Sequence, residues 1–183
     1  MKITSGDYKY RNIDVPRGIR PTTEKVREAV FSMIREWIPG AAVCDLFAGS
    51  GAMGLEALSR GADKCWFSEL NRQNFRILLG NIDNCKAGEK SVPMNCDFKT
   101  ALARIDTTLD VVIMDPPYDQ LDYYPQAMEI LQERGLLDEG SIVVAEHLYD
   151  NKLQETYGDL TRIKEKKYGS IGVDVYMIIA KTL

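Results

Sequence analysis

Two rhythms of apolar residues alternate along this chain. Short apolar blocks give way to longer stretches in which apolar residues return every third or fourth position. The first kind predicts buried strands and the second predicts amphipathic helices. Strands are expected at Val43–Phe47, Lys64–Glu69, Val92–Asn95, Asp110–Asp115 and Ser141–Glu146. Helices fill the gaps: one through Leu55 and Leu58, one over 71–84 with Phe75, Leu78, Leu79 and Ile82 on one face, then 97–104, 122–134 and a short one at 149–156. Two last strands, 160–168 and 173–181, are joined through Gly169-Ser170-Ile171-Gly172. Ahead of this alternation, Val26, Ala29, Val30, Met33, Ile34 and Trp37 recur at helical spacing. Thr22 or Thr23 can cap that helix, Glu24 favours its first turn, and Pro39-Gly40 ends it. Residues 1–21, with Pro16, Gly18 and Pro21, read as an extended or hairpin arm with few core anchors. Repeated βα units closed by a hairpin predict an α/β fold, with a doubly wound, mostly parallel seven-stranded sheet and an antiparallel C-terminal hairpin.

The strand ends carry the chemistry. Asp115-Pro116-Pro117-Tyr118 follows an apolar run, and its prolines forbid further ladder hydrogen bonds. The strand therefore stops with a carboxylate, a rigid carbonyl and an aromatic ring at its carboxyl end, the edge where open α/β sheets bind ligands. An acceptor pair beside a ring suits a planar amine such as a nucleobase amino group. At the end of the first strand, Asp45-Leu46-Phe47-Ala48-Gly49-Ser50-Gly51-Ala52-Met53-Gly54 opens a helix. It contains GxGxxG, which by itself fits dinucleotide enzymes equally well. Asp45, however, would repel a pyrophosphate and suits a cationic amino-acid group. Glu69 ends the second strand, where an acidic side chain can hold ribose hydroxyls, and Leu70 beside it can cover an adenine face. Asp97 can accept from an adenine amino group or cap a helix, with Phe98 packed nearby. Carboxylates ending four strands point to one ligand across the sheet edge: adenosine-bearing, with a charged amino-acid end and no phosphate. S-adenosylmethionine fits that description.

Charge changes the picture only once it is divided. The 183 residues carry a net charge of −4, yet residues 1–40 hold eight Lys/Arg against five Asp/Glu and residues 160–183 hold five against two. Both ends are basic around an acidic centre, which fits either ordinary solvated surface or two ends that jointly touch phosphates. The four cysteines are widely spaced with no CxxC pair, so reduced packing cysteines are expected and no metal site. His147 has no obvious catalytic partner in the sequence, and Glu146, which ends the fifth strand, has no assigned role. No apolar run approaches a membrane span and the start lacks the apolar segment of a secretory signal, so a cytoplasmic protein is expected.

Arg20-Pro21-Thr22-Thr23-Glu24-Lys25-Val26-Arg27-Glu28-Ala29-Val30-Phe31, taken with Asp45-Leu46-Phe47-Ala48-Gly49-Ser50-Gly51, Gly54-Leu55-Glu56-Ala57-Leu58-Ser59-Arg60-Gly61-Ala62, Asp115-Pro116-Pro117-Tyr118 and Tyr168-Gly169, resembles the bacterial 16S ribosomal RNA guanine-N2-methyltransferase family over nearly the whole chain. The resemblance implies a Rossmann-like class I methyltransferase over 1–183, with 1–40 an RNA-contacting arm and helix and 41–183 the cofactor-binding catalytic core. It implies S-adenosylmethionine as cofactor and 16S ribosomal RNA, or an assembling small subunit, as partner, with a monomeric enzyme and no membrane. Asp115, Pro116, Pro117 and Tyr118 would then be catalytic. Asp45, Phe47, Ala48, Gly49, Ser50, Gly51, Glu69, Leu70, Asp97 and Phe98 would bind the cofactor. Arg11, Arg17, Arg20 and Arg27 would contact RNA, with Lys164, Lys166 and Lys167 as further contributors. Arg27 can equally form an ion pair within the protein. One departure stands in the arm, where Tyr10 occupies a position between two basic residues that is commonly glycine in the family. Competing readings are an amino-methyltransferase acting on DNA, on RNA adenine or on a protein glutamine, a NAD-binding oxidoreductase, and a non-catalytic RNA-binding module.

Overall fold

The apolar blocks pair into one mixed sheet in the computed structural model, which describes residues 1–17 and 23–179. Its strands are β1 (Ala42–Asp45), β2 (Lys64–Ser68), β3 (Ser91–Met94), β4 (Leu109–Met114), β5 (Leu137–Leu148), β6 (Thr156–Tyr157), β7 (Leu160–Tyr168) and β8 (Ile171–Ile178). They lie in the order β3-β2-β1-β4-β5-β8-β7-β6. The first five are parallel, and β8 joins β5 antiparallel. Strand order reverses between β1 and β4, which opens a crevice at their carboxyl ends.

Side-chain alternation sorts the core into two layers. Val43, Val111, Ile113, Ile142, Val144, Val173 and Val175 face α1 (Glu24–Met33), α2 (Ala52–Ser59) and α3 (Arg72–Asn84) through Val30, Phe31, Leu55, Leu58, Leu78 and Ile82. Cys44, Val112, Met114, Val143, Ala145 and Tyr176 face α4 (Phe98–Arg104) and α5 (Tyr123–Glu133). Thr23 caps α1 by accepting from the Val26 N–H.

Four expectations change. The sheet has eight strands rather than seven, and the segment at 149–156 is not a helix. Its backbone is held by tertiary partners: the Tyr149 N–H donates to the Ser170 carbonyl at 2.8 Å, and the Gln154 carbonyl accepts from the Tyr176 hydroxyl at 2.6 Å. Residues 156–157 thereby become the edge strand β6 against β7. The hairpin turn shrinks to Gly169-Ser170, with Gly169 at φ 63°. The arm, finally, is anchored. Ile3 and Ile13 are buried in the main core, an antiparallel bridge joins Lys2 to Asn12, and Gly6 passes so close to α2 that a Cβ there would sit 1.9 Å from the Ser59 carbonyl oxygen.

Candidate active site

The crevice holds a cavity of about 950 Å³ lined by the ends of β1, β2, β3 and β4 and the loops that leave them. That size falls within the range of small-molecule pockets. Asp45, Phe47, Ala48, Gly49, Ser50, Glu69, Leu70, Asp97, Phe98 and Asp115 to Tyr118 all line it. Gly51 does not. It turns the loop at φ 83° into α2, where a Cβ would meet the Leu78 side chain at 2.4 Å.

The carboxylates divide into two kinds. Glu69 is engaged: it accepts from the Gly49 N–H at 2.9 Å and from the Asn71 N–H at 2.8 Å, so it fixes the shape of the glycine loop. Asp97 caps α4, accepting from the Thr100 N–H at 2.7 Å, and that bond holds its carboxyl below the usual range. Both are still at the cavity wall. Asp45 differs, being buried with one contact to the Gly54 N–H at 3.0 Å. Burial pushes its carboxyl up to about 7; the Gly54 N–H opposes this, and the charges of Glu69 and Glu146 add to it. Asp115 is pushed well above the ordinary value, first by burial and then by Glu146 and Asp45. Pairing of Met114 with Ala145 puts Asp115 beside Glu146 on the next strand, and alternation aims Asp45, Asp115 and Glu146 to one face. A crowded row of buried and half-buried carboxyls attracts a cation or a hydrogen-bond donor.

An aromatic wall stands opposite. Phe47 lies 5.3 Å from Phe98 and 5.8 Å from Tyr123, and Phe98 lies 4.9 Å from Tyr123 between ring centroids. Leu70 projects at the rim, 69% exposed. Tyr118 is half-buried at the mouth, and the Pro117 carbonyl accepts from the Gln120 N–H at 2.9 Å. The residues present fit S-adenosylmethionine: a buried carboxyl for an amino cation, a strand-two carboxylate for hydroxyls and an aromatic wall for a purine.

Two residues escaped the sequence reading. Tyr123 completes the aromatic wall from the first turn of α5, where spacing marked it only as helical. Asn81, buried within α3, donates to the Ser50 carbonyl at 2.8 Å, donates to the Asp14 carbonyl at 2.9 Å and accepts from the Asp14 N–H at 2.9 Å. It ties the arm to the glycine loop. A lone polar residue on the buried face of an amphipathic helix was the available signal.

A family model described as Conserved hypothetical protein 95 matches residues 1–177. The Ribosomal RNA small subunit methyltransferase D of Escherichia coli K12 is 32% identical over 178 residues, covering 96% of this chain and 89% of that protein. The chain belongs to this methyltransferase family. The Haemophilus influenzae small subunit methyltransferase D is 31% identical over 181 residues, covering 96% of this chain and 93% of that one. The solved structure of the Escherichia coli protein yhhF agrees with a TM-score of 0.88 at 31% identity over 99% of each chain. An RNA methyltransferase from Salinibacter ruber, solved with S-adenosyl-L-homocysteine, shares the fold at a TM-score of 0.69 and 14% identity, covering 90% of this chain and 97% of that one.

For this small subunit methyltransferase D relative, the expected RNA contacts are redistributed. Arg27 is fully buried and pairs with Glu56 at 2.9 Å, so it is not on the surface that RNA can reach. Its helix turns it inward with Val30, Phe31 and Ile34, and Glu56 supplies the compensating charge. Arg11 donates to the Asn84 carbonyl at the end of α3, 2.8 Å away. Arg17 is exposed, and Arg20 lies outside the described residues. No helix among the described residues is long and apolar enough to cross a membrane.

Proposed function

We propose that this protein methylates the exocyclic N2 of a guanine in 16S ribosomal RNA, using S-adenosylmethionine, as a monomer in the cytoplasm with free RNA or an assembling small subunit as substrate. The observation that carries the reading is the placement of Asp115 and Pro116 at the wall of the same cavity as the buried Asp45. On this reading residues 1–183 form one methyltransferase domain.

When bound, the cofactor supplies an electrophilic methyl group to an attacking nitrogen. Asp45 holds its amino cation, Glu69 its ribose hydroxyls, and Phe47, Phe98 and Leu70 its adenine. Guanine N2 is a poor nucleophile because its lone pair is delocalised into the ring. Asp115 and the Pro116 carbonyl accept the two N2 hydrogens, hold the nitrogen in place and favour its pyramidal form. The nitrogen gains positive charge as its bond to the methyl carbon forms, and it then sheds one proton. Asp115, whose proton affinity is raised, is the nearest acceptor for that proton. Most of the acceleration comes from positioning and from these fixed hydrogen-bond acceptors. Tyr118 stacks on the base, a contact worth roughly 1–3 kcal/mol. A paired guanine cannot reach Asp115, so the target is a loop base or one turned out of its stack.

The names and identities of the relatives support an RNA substrate, and the buried Asp45 weighs against a pyrophosphate cofactor. Incubating small-subunit RNA with tritiated S-adenosylmethionine and digesting to nucleosides tests the reading. Label in N2-methylguanosine is expected. Label in adenosine or only in protein, or calorimetric binding of NAD but not S-adenosylhomocysteine, would sink it.

A further inference from the structure

With Arg27 buried and Arg11 turned toward Asn84, a chain of net charge −4 needs other cations to hold a polyanion beside Asp115. The hairpin of β7 and β8 supplies them at the catalytic edge. Glu146 pairs with Val173, and Val173 with Lys166, so Lys166 shares a row with Glu146 and its neighbour Asp115. Three strand spacings of about 4.8 Å put that row's far end roughly 15 Å from Asp115. Lys167 lies one residue further toward the turn, in register with Gly172 and His147.

Around the turn, one aromatic ring gathers two ammonium groups. Tyr149 leaves β5, and its N–H is bonded to the Ser170 carbonyl of the turn. The Lys152 Nζ stands 3.2 Å from the centre of the Tyr149 ring, and the Lys167 Nζ stands 4.5 Å from it. The ring and one acid favour the charge on Lys152. That acid is Glu165, 3.5 Å from Lys152, which also serves Arg162 at 3.4 Å. Asp150 is the other nearby carboxylate in the sequence, next to Tyr149. Lys164 does not join the group: it sits over Trp37 and points to the Met33 carbonyl. A phosphate that accepts from both ammonium groups would add charge-assisted hydrogen bonds while keeping both cation–π contacts.

We propose that Tyr149, Lys152 and Lys167 form a phosphate clamp that grips the RNA backbone a few nucleotides from the base presented to Asp115. The clamp rests on the RNA reading above. Its place beyond β5, on the side of Asp115 away from the cofactor-lined β1 and β2, leaves the path of the nucleic acid clear of the cofactor cavity.

The test is a salt titration of the full-length protein on a small-subunit RNA fragment, by fluorescence anisotropy, for wild type and Lys152→Ala/Lys167→Ala. Each phosphate contact contributes about 0.9 to the slope of log affinity against log salt, so the double variant should lose roughly 1–2 from that slope. Affinity at moderate salt should fall about tenfold, while S-adenosylhomocysteine affinity and melting temperature stay near wild type, because exposed pairs contribute little to stability. Tyr149→Ala should lose part of the affinity, and Tyr149→Phe, which keeps the ring, should keep it. An unchanged slope in the double variant, with wild type still binding RNA, overturns the clamp alone. Wild type that binds S-adenosylhomocysteine but no RNA overturns the RNA reading and the clamp together.

Discussion

Arg27→Met is the substitution that best separates a structural arginine from an RNA contact. The Arg27 guanidinium is sealed from solvent against Glu56 at 2.9 Å and also donates to the Lys2 carbonyl. Glu56 is a hub: it accepts from the Thr4 N–H at 3.0 Å, the Thr4 hydroxyl at 3.1 Å, the Ser5 N–H at 3.3 Å and Arg60 at 3.0 Å. Removing one partner of a buried pair typically destabilises by about 3–5 kcal/mol, because the other charge is left without compensation. Here Arg60 and the arm's donors remain on Glu56, so the lower figure, about 3 kcal/mol, is expected. For a domain of this size each kcal/mol moves the melting temperature by roughly 2–4 °C, which gives a drop of about 6–12 °C. Glu56→Gln should cost a similar amount, since Arg27 then lies buried beside a neutral amide. The double variant should be less unstable than the sum of the singles, with a coupling of about 1–3 kcal/mol. Circular dichroism melts of the four proteins measure this. A melting point for Arg27→Met within about 2 °C of wild type, together with a shallower salt dependence of RNA binding, would refute the argument and return Arg27 to the RNA surface.

Four further outcomes are expected. Asp115→Ala should lower methyl transfer by about 10²–10⁴-fold, measured by tritium incorporation, with S-adenosylhomocysteine affinity within a few-fold of wild type. Asn81→Leu removes three hydrogen bonds and strands the buried Ser50 carbonyl, so calorimetry should show cofactor affinity down by about tenfold, with a lower melting point. Because Asp45 titrates near about 7 before a ligand arrives, affinity for S-adenosylhomocysteine should be level above that pH and fall toward tenfold per unit below it, and Asp45→Asn should flatten the profile. His147 faces two acceptors, the Leu148 carbonyl at 2.7 Å and Asp174 at 3.2 Å; burial lowers its pKa, but these bonds outweigh burial and raise it above the ordinary value. Its contribution to stability is therefore full below the unfolded-state value of about 6.5 and lost as pH rises through the folded one, a fall that urea melts should show in wild type and not in His147→Phe.

Legibility followed how local the physics was. Asp115 could be placed because an apolar run and two prolines settle a strand end without help from distant residues. The glycine loop was visible for the same reason. Charge alone leaves Arg27 open between RNA and an internal ion pair, and spacing decides for the ion pair, because 27, 30, 31 and 34 share one helical face. Its partner carried a matching sign, since Glu56 is the one charged residue in the otherwise small or apolar helix Ala52–Ser59. Residues 149–156 lacked any such signal. Their backbone partners, Ser170 and Tyr176, come from the hairpin turn and from β8, and the sequence contains no local trace of either contact. The arm's anchoring was hidden in the same way: Ile3 and Ile13 are single apolar residues in a polar stretch, and only the Lys2–Asn12 bridge turns both inward.

The acidic strand ends looked equivalent in the sequence, and their surroundings show that they are not. Glu69 and Asp97 spend their charge on backbone N–H groups, so they hold the loop and helix that shape the cavity whether or not a ligand is present. Asp45 is buried and Asp115 half-buried, and desolvation together with neighbouring carboxylates makes their ionisation unfavourable. A cation placed against Asp45 reverses the balance, and not for Asp45 alone. The Asp45 charge is one of the causes that raise Asp115, so a positive charge arriving there offsets it and makes the ionised, hydrogen-accepting form of Asp115 easier to reach. On the proposed reading, the acceptor that a nucleobase amine needs is thereby favoured when the methyl donor is in place. Unfavourable ionisation of these two neighbouring carboxyls would then couple the two halves of the site.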